Sequence, residues 1–170
     1  MKNKSENPMR KIKMEKLILN VGAIGNELDK SVKLLEIISR KKVMKVKSRM
    51  RIPALGVSPG LEVAAMVTIR GTEAIALLKR LLGAVNNSLK KGQIEENHFS
   101  FGIKEYIEIQ GMDYYRDIGM KGLDVTVVFS RAGLRVKKKK IKAGKLPKKQ
   151  FVTREEIIEF MKKNFNTEVI

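Results

Sequence analysis

The sequence predicts an α+β fold in which a largely antiparallel sheet has helices packed on one face, plus a basic internal arm and a terminal helix. Three observations support this class. Two strand-like segments flank a Pro- and Gly-rich loop within Lys41–Arg70, and apolar residues at helical spacing follow strand-like stretches. Leu123–Ser130 is a run of β-branched and aromatic residues typical of a buried, central strand. We expect one domain over residues 1–170, which is long enough for a single core.

The N-terminal part of the chain predicts an arm, a strand and a helix. Residues 1–14 are basic and polar and contain Pro8, which predicts a flexible arm. Glu15–Gly22 is rich in β-formers and stops at glycine, as a first strand does. Asn26 is the predicted cap of a helix whose apolar residues recur at helical spacing and which should end near residues 40–42.

The Lys41–Arg70 stretch predicts two strands that pair as a long hairpin. Residues 40–51 include seven basic side chains and no acidic one. Because alternate side chains of a strand face opposite ways, part of this basic set can point to one surface. The loop Pro53–Gly60 contains Leu55 and Val57, which we expect to be exposed as a contact surface at the hairpin tip. The hairpin therefore predicts a basic surface that binds a polyanion, with a loop that projects beyond this surface.

The middle of the chain predicts a second helix and then shorter elements. Thr72 is its predicted cap, and residues 86–88 and 90–92 are expected to end it. Phe99–Lys104 and Tyr106–Gln110 predict two short strands, or a strand and a turn. Gly111–Lys121 predicts irregular structure that leads into the strand at Leu123.

A long basic run precedes the terminal helix. Residues 131–149 include ten basic and no acidic side chains, which is typical of an extended arm that orders on a partner. The pattern Thr153–Glu156 fits a capping box, and Ile157, Phe160 and Met161 predict the buried stripe of a helix. Because order resumes after it, the basic run is predicted to be an internal loop tied at both ends.

The charge balance indicates a polyanionic partner. Thirty-six Lys and Arg face 18 Asp and Glu, which gives a formal charge of +18, and a field of this size attracts nucleic acid strongly. The chain has no cysteine, which excludes disulfides and thiolate zinc sites. No apolar run approaches the roughly 20 residues of a membrane span, and the N-terminus lacks the apolar core of a signal peptide. We expect a cytoplasmic protein without a membrane partner.

Enzymatic and metal chemistry find little support in the sequence. His98 is the only histidine and has no partner at a telling spacing. Gly22–Gly25 lacks the glycines and lysine of nucleotide-binding loops and predicts a tight turn. Asp113, Asp117 and Asp124 offer oxygen ligands for Mg²⁺, but turn or strand roles explain them better. We therefore expect a protein that is not an enzyme and uses no cofactor.

Six segments of the chain carry a pattern that is specific because all six stand in one order. They are Lys16–Gly22, Val46–Pro53, Val67–Gly71, Phe99–Glu105, Asp117–Val127 and Arg131–Val136. In this order they resemble the family of the universal fifth large-subunit ribosomal protein, which binds 5S ribosomal RNA, and the resemblance covers nearly the whole chain. The basic run followed by a terminal helix is similar to the archaeal and eukaryotic branch of that family.

The resemblance implies a structural protein of the large ribosomal subunit. Its expected partners are 5S rRNA, large-subunit rRNA, neighbouring ribosomal proteins and, through the hairpin loop, transfer RNA in the peptidyl site. The family's strand asparagine falls on Asn20, its strand threonine on Thr68 and its hairpin loop on Ile52–Gly60. Where bacterial members carry Gly-Gln this chain has Arg40-Lys41, and a phosphate contact from Lys41 is expected instead. A free-standing nucleic-acid chaperone or architectural protein is the alternative.

The composition and the resemblance together predict which residues contact RNA. Lys and Arg should neutralise phosphates, while Asn20, Ser48 and Thr68 should hydrogen-bond bases or 2′-hydroxyls. The predicted tRNA-facing loop is Pro53, Ala54, Leu55, Gly56, Val57, Ser58 and Pro59. The predicted RNA-binding set is Asn20, Lys41, Lys45, Lys47, Ser48, Arg49, Arg51, Thr68, Arg70, Arg131, Arg135, Lys137, Lys138, Lys139 and Lys140.

Overall fold

Strands and helices alternate along the first half of the chain in a computed structural model that describes residues 7–170. Residues 1–6 of the predicted arm lie outside the described residues. The helices are α1 (Asn26–Ser39), α2 (Thr72–Ala84), α3 (Arg135–Lys138) and α4 (Arg154–Phe165). The strands are β1 (Lys13–Gly22), β2 (Met44–Lys47), β3 (Glu62–Ile69), β4 (Ser88–Leu89), β5 (Ile94–Glu95), β6 (His98–Ile103), β7 (Leu123–Ser130) and β8 (Glu168–Val169).

The main sheet has six strands in the order β2-β3-β1-β7-β6-β5, and each neighbouring pair is antiparallel. A second, two-stranded sheet pairs β4 with β8 in parallel. The predicted α+β class with a largely antiparallel sheet is confirmed. The predicted hairpin of β2 and β3 is also confirmed, as is the interior position of β7 between β1 and β6.

The core lies between one face of the sheet and the helices. Leu17 and Leu19 of β1 are fully buried, as are Leu35 of α1 and Leu78 of α2. Phe129 of β7 packs edge-on against Phe160 of α4, with ring centroids 5.4 Å apart. The predicted helix layer on one face is therefore confirmed, although Phe160 itself is only half-buried.

Burial along β7 alternates, which refines the prediction of a buried strand. Val125 and Val127 are fully buried, whereas Thr126 and Val128, which follow them in turn, are only half-buried. Only every second side chain of this run therefore packs in the core. The other parity belongs to the face of the sheet opposite α1, α2 and α4.

The predicted caps of the first two helices are wrong. Asn26 and Thr72 are the first helical residues, and neither helix has a side-chain cap. Gly25 and Gly71 precede them with φ of 63° and 77°. The chain therefore enters each helix through a residue with positive φ, which glycine adopts readily. The capping box at the start of α4 is confirmed, since the Glu156 carboxylate accepts a hydrogen bond from the backbone N–H of Thr153 at 3.1 Å.

Several boundaries differ from the predicted ones. β1 begins at Lys13, so the last two residues of the predicted arm belong to the sheet. α1 ends at Ser39, followed by Arg40 in the left-handed region with φ of 52°. Of the two alternatives after residue 98, a strand and a turn is the one observed, with a 3-10 turn at Tyr106–Glu108. The segment Gly111–Lys121 contains no helix or strand, as predicted.

Candidate nucleic-acid interface

The face of the sheet opposite the helices forms rows of side chains across its strands, and we call it the open face. One row runs from Met66 of β3 through Asn20 of β1 and Asp124 of β7 to Gly102 of β6. All of these residues except Gly102 present a side chain, and Asn20 is half-buried rather than sealed in the core. The family's asparagine position therefore lies in the middle of an accessible surface.

The neighbouring row carries hydroxyl groups. It runs from Thr68 of β3 through Ile18 and Thr126 to Ser100 of β6. Because Asn20 pairs with Met66 and Thr68 pairs with Ile18, Asn20 and Thr68 are diagonal neighbours on adjacent strands. Two of the three uncharged residues predicted to discriminate among nucleotides, Asn20 and Thr68, thus lie together on the open face.

Sequence reasoning did not find the rest of these rows. Ile18, Thr126 and Ser100 have the same parity as Asn20 and Thr68 on their strands, and all three are exposed or half-buried. The signal was present in the sequence as the alternation within β7, which was interpreted as a fully buried run. Extending that parity across the sheet finds every member of the open face.

The cations lie at the borders of the open face, and not all of those predicted for RNA are free. Lys45 of β2 pairs with Asp29 of α1 at 2.8 Å and with Glu62 at 3.5 Å. The hydrogen bond that the Lys45 ammonium donates to the Asp29 carboxylate raises the pKa of Lys45 and lowers the pKa of Asp29. Lys45 therefore ties β2 to the helix layer, on the side away from the open face. Lys41 likewise pairs with Glu73 of α2.

Other predicted cations of this region remain exposed. Lys47, Arg49, Arg51 and Arg70 form no ion pair with any residue in the described range 7–170. Arg49 and Arg51 follow β2 and Arg70 follows β3, whereas Lys47 lines a groove with Lys45 on the helix side of the sheet. Their charges are available for phosphate groups, because no carboxylate within the described part of the protein neutralises them.

The hairpin loop is held in shape by its own hydrogen bonds. The Ser48 hydroxyl donates to the Met50 carbonyl at 2.8 Å, so this predicted RNA contact has its hydrogen-bond donor engaged inside the loop. Ile52 and Val57 exchange two backbone hydrogen bonds of 2.9 and 3.1 Å around a 3-10 turn at Pro53–Leu55. The loop is therefore an ordered projection.

The exposure expected for Val57 is wrong. Val57 is 4% exposed, because pairing with Ile52 places it inside the loop. Leu55 is 65% exposed, as predicted, and Met50, which precedes the loop in the chain, is 74% exposed. The apolar tip thus consists of Leu55 with Met50 and Ile52, and Val57 supports it from within. The remaining loop residues Pro53, Ala54, Gly56, Ser58 and Pro59 are exposed.

The basic segment 131–149 is closed at its base by Arg131. Its guanidinium pairs with Glu156 of α4 and donates to the Lys149 carbonyl at 3.0 Å, and its side chain is 12% exposed. The loop is thus tied at both ends, as expected. Arg131 closes the loop inside the protein, which leaves little of its guanidinium for the RNA contact assigned to it.

The middle of this segment includes the short helix α3. Lys138 pairs with Glu15 of β1, and the Lys137 ammonium lies 5.9 Å from the centre of the Phe151 ring. Arg135, Lys139 and Lys140 are exposed and pair with no carboxylate in the described part of the chain. These three carry the segment's predicted phosphate contacts most directly.

The candidate catalytic and metal residues do not assemble into a site. The His98 ring lies 3.4 Å from the Glu95 carboxylate and 3.1 Å from the Glu96 carbonyl, a local turn arrangement. Within residues 7–170 no group of three or more His, Cys, Asp or Glu side chains is placed to hold a metal ion. The described helices include none long and apolar enough to cross a membrane.

An uncovered sheet face with hydrogen-bonding side chains and cations at its borders is typical of sheet-type RNA-binding proteins. Residues 62–165 match the family model that describes the C-terminus of the ribosomal L5 family. The chain therefore belongs to the ribosomal L5 family, and it is a ribosomal protein rather than an enzyme.

Curated relatives extend the match over nearly the whole chain. The large ribosomal subunit protein uL5 of Nanoarchaeum equitans is 38% identical over 168 residues, covering 97% of this chain and 99% of that protein. The proteins of the same name from Methanosphaera stadtmanae and Sulfolobus acidocaldarius are each 36% identical, covering 96% and 98% of this chain and 99% and 96% of their own lengths. These archaeal relatives agree with the predicted branch of the family.

Proposed function

We propose that this protein is a structural constituent of the large ribosomal subunit that holds an unpaired loop of 5S rRNA on its open face. One observation carries the proposal: Asn20 and Thr68 are diagonal neighbours on the sheet face opposite α1, α2 and α4. Sequence-specific recognition of RNA targets unstacked bases, which a flat surface with hydrogen-bonding groups can accept. The uncharged residues of the face give discrimination, and the cations at its borders give affinity.

The basic segment 131–149 extends the proposed binding to large-subunit rRNA. Its exposed cations Arg135, Lys139 and Lys140 project from a loop that Arg131 ties to α4. A tethered loop can follow an RNA groove without the protein core having to enter it. This second contact bridges 5S rRNA to the rest of the particle, in the cytoplasmic ribosome, beside neighbouring ribosomal proteins.

The hairpin loop Ile52–Gly60 provides the proposed contact with transfer RNA in the peptidyl site. Its tip exposes Leu55 on an internally bonded loop, and Met50, just before the loop, is exposed as well. Particles assembled with Leu55→Ser should protect peptidyl-site tRNA less from chemical probes than particles with Ala76→Ser, an exposed control on α2. Equal protection of the tRNA in both particles would contradict a contact between the loop and tRNA, and it would not affect the proposed contact with 5S rRNA.

The binding of 5S rRNA is tested with the purified full chain. At one salt concentration, dissociation constants are measured for 5S rRNA, a structured RNA of equal length and duplex DNA of equal charge. We expect a clear preference for 5S rRNA. Equal affinity for all three would support the chaperone or architectural alternative instead.

A paired variant tests the open face itself. Asn20→Ala with Thr68→Val should weaken 5S binding about tenfold or more, since two hydrogen bonds of about 1 kcal/mol each are lost. The salt dependence should stay unchanged, because neither residue is charged. The matched control is Asn26→Ala with Thr72→Val, on the helix side where neither residue caps its helix. An equal loss in both double variants would contradict recognition by the open face.

A further inference from the structure

Asp124 is the acidic residue at the centre of the open face. It pairs with Asn20 across one strand boundary and with Gly102 across the other. Its side chain is exposed, and it forms no ion pair or side-chain hydrogen bond with the described residues. Since no described protein group pairs with this carboxylate, we expect it to contact the ligand that binds to the open face.

A carboxylate is a poor neighbour for phosphate. Two negative charges repel, so Asp124 weakens any contact with the RNA backbone at this point. An ionised carboxylate offers only acceptors, and the donors of RNA are the N–H groups of its bases and its 2′-hydroxyls. The group that reaches Asp124 is therefore a donor, and a base edge supplies the stronger ones.

Guanine is the base whose edge matches a carboxylate. Its Watson–Crick edge presents the N1–H and the N2 amino group side by side, which fits two carboxylate oxygens with two parallel hydrogen bonds. Adenine and cytosine present one amino group beside a ring acceptor, and uracil presents one N–H between two carbonyls. In each of these bases an acceptor would face the second oxygen and repel it. Hydrogen bonds to a charged acceptor are also stronger than neutral ones.

Gly102 leaves room for a base beside Asp124. A Cβ at this position would meet only the Asp124 Oδ1, at 3.5 Å, so the strand surface there is otherwise open. A glycine in a strand allows a ligand to approach the backbone closely. The Asn20 side chain lies on the opposite side of Asp124 and offers both a donor and an acceptor to the same nucleotide.

We propose that Asp124 is a specificity-determining residue that accepts two hydrogen bonds from the Watson–Crick edge of an unpaired guanine, with Gly102 providing the space and Asn20 a neighbouring contact. The inference rests on the proposed function, because it requires RNA on the open face. It assigns this part of the face to a base and places the phosphates at the basic borders.

Replacing Asp124 by Asn distinguishes two roles of the carboxylate, because the two roles predict opposite changes in the affinity for 5S rRNA. If Asp124 only repels RNA, Asp124→Asn should bind 5S rRNA more tightly than the wild type. If Asp124 binds guanine, the same variant should lose about tenfold in 5S affinity and gain slightly for an unrelated RNA. Asp117→Asn is the matched control, since it removes the same charge from an exposed residue outside the sheet. Circular dichroism and thermal unfolding check that both variants fold.

A chemical substitution in the RNA tests the same contact with the wild-type protein. Inosine lacks the N2 amino group of guanine, so inosine at the contacted position should weaken wild-type binding about fivefold or more. The same inosine should have little effect on Asp124→Asn, because that contact is already lost. The control is 7-deazaguanosine, which keeps the Watson–Crick edge and should bind normally.

The outcomes separate the inference from the function on which it rests. Equal or tighter binding of 5S rRNA by Asp124→Asn overturns the guanine contact, and so does inosine without effect at every unpaired guanine. If the wild-type advantage disappears when cobalt hexammine replaces Mg²⁺, Asp124 acts through a bridging metal and the inference is wrong. If the wild type has no preference for 5S rRNA, the proposed function itself fails.

Discussion

Lys121 joins the irregular segment before β7 to the first turn of α1, where its ammonium lies 2.9 Å from the Glu27 carboxylate. The same ammonium donates to the Glu27 carbonyl at 2.8 Å and to the Ser31 hydroxyl at 3.0 Å. Its side chain is 11% exposed, whereas Lys30, which also pairs with Glu27, is 42% exposed. Lys121 thus connects residues that are 94 positions apart in the sequence.

Lys121→Met should destabilise the protein by about 1–2 kcal/mol, because the hydrogen bonds to the Glu27 carbonyl and the buried Ser31 hydroxyl are lost. Lys30→Met is the control, and the loss of that exposed pair should cost about 0.5 kcal/mol or less. Urea unfolding followed by circular dichroism measures both. A similar midpoint for the two variants would show that the connection to α1 contributes no more than a surface ion pair.

The Glu27 carboxylate should make stability depend on acidity. Hydrogen bonds from Lys30 and Lys121 lower the pKa of Glu27 from 4.5 to about 2. A carboxyl group with a lowered folded-state pKa stabilises the protein above its unfolded pKa, and that contribution is lost as the pH falls through the folded-state pKa. The difference in melting temperature between the wild type and Glu27→Gln should therefore shrink between about pH 4.5 and pH 2.

The double substitution Lys30→Met with Lys121→Met supplies the control for this titration. Without the two ammonium groups, replacing Glu27 by Gln should change stability almost equally at both ends of that pH range. A difference that stays constant with pH in the wild-type background would show that Glu27 titrates alike in the folded and unfolded chain.

Local patterns in the sequence predicted most of the fold. Runs of β-forming residues identified β1, β3 and β7. Helical spacing of apolar residues identified α1 and α4, because this period follows directly from backbone geometry. The helix starts at Asn26 and Thr72 were misassigned because a left-handed glycine changes the position of the first helical residue. That geometry depends on how each strand exits the sheet.

The candidate site was predictable only in part. Asn20 and Thr68 were identified through the resemblance to the family, and the register of β1 and β3 then places both on one face of the sheet. The partners of Lys45 and Arg131 depend on which elements meet in the fold, so the sequence alone could not show that Asp29 and Glu156 lie beside them. For the same physical reason the burial of Val57 was missed, since it depends on the bridge to Ile52.

Gly122 illustrates a close backbone contact that the fold imposes. A Cβ at this position would lie 2.8 Å from the Lys104 carbonyl oxygen and 2.9 Å from that of Ile103. Gly122→Ala should therefore destabilise the protein by about 1–3 kcal/mol through steric strain. Gly22→Ala, where the added Cβ meets nothing within 4 Å, is the matched control and should be nearly neutral. Thermal unfolding of both variants decides, and equal melting temperatures would contradict a rigid contact between the segments.

The exposed cations of the basic segment should determine how strongly RNA binding depends on salt. Replacing Arg135, Lys139 and Lys140 by Gln removes three charges that no described carboxylate neutralises. If each contacts a phosphate, the slope of log K against log salt should fall by about 0.7 per cation, or about 2 in total. The control replaces Lys33 of α1 and Lys162 and Lys163 of α4 by Gln, exposed cations on the helix side. Because the control has the same net charge, a slope that falls equally in both would assign the effect to the overall field and not to the segment.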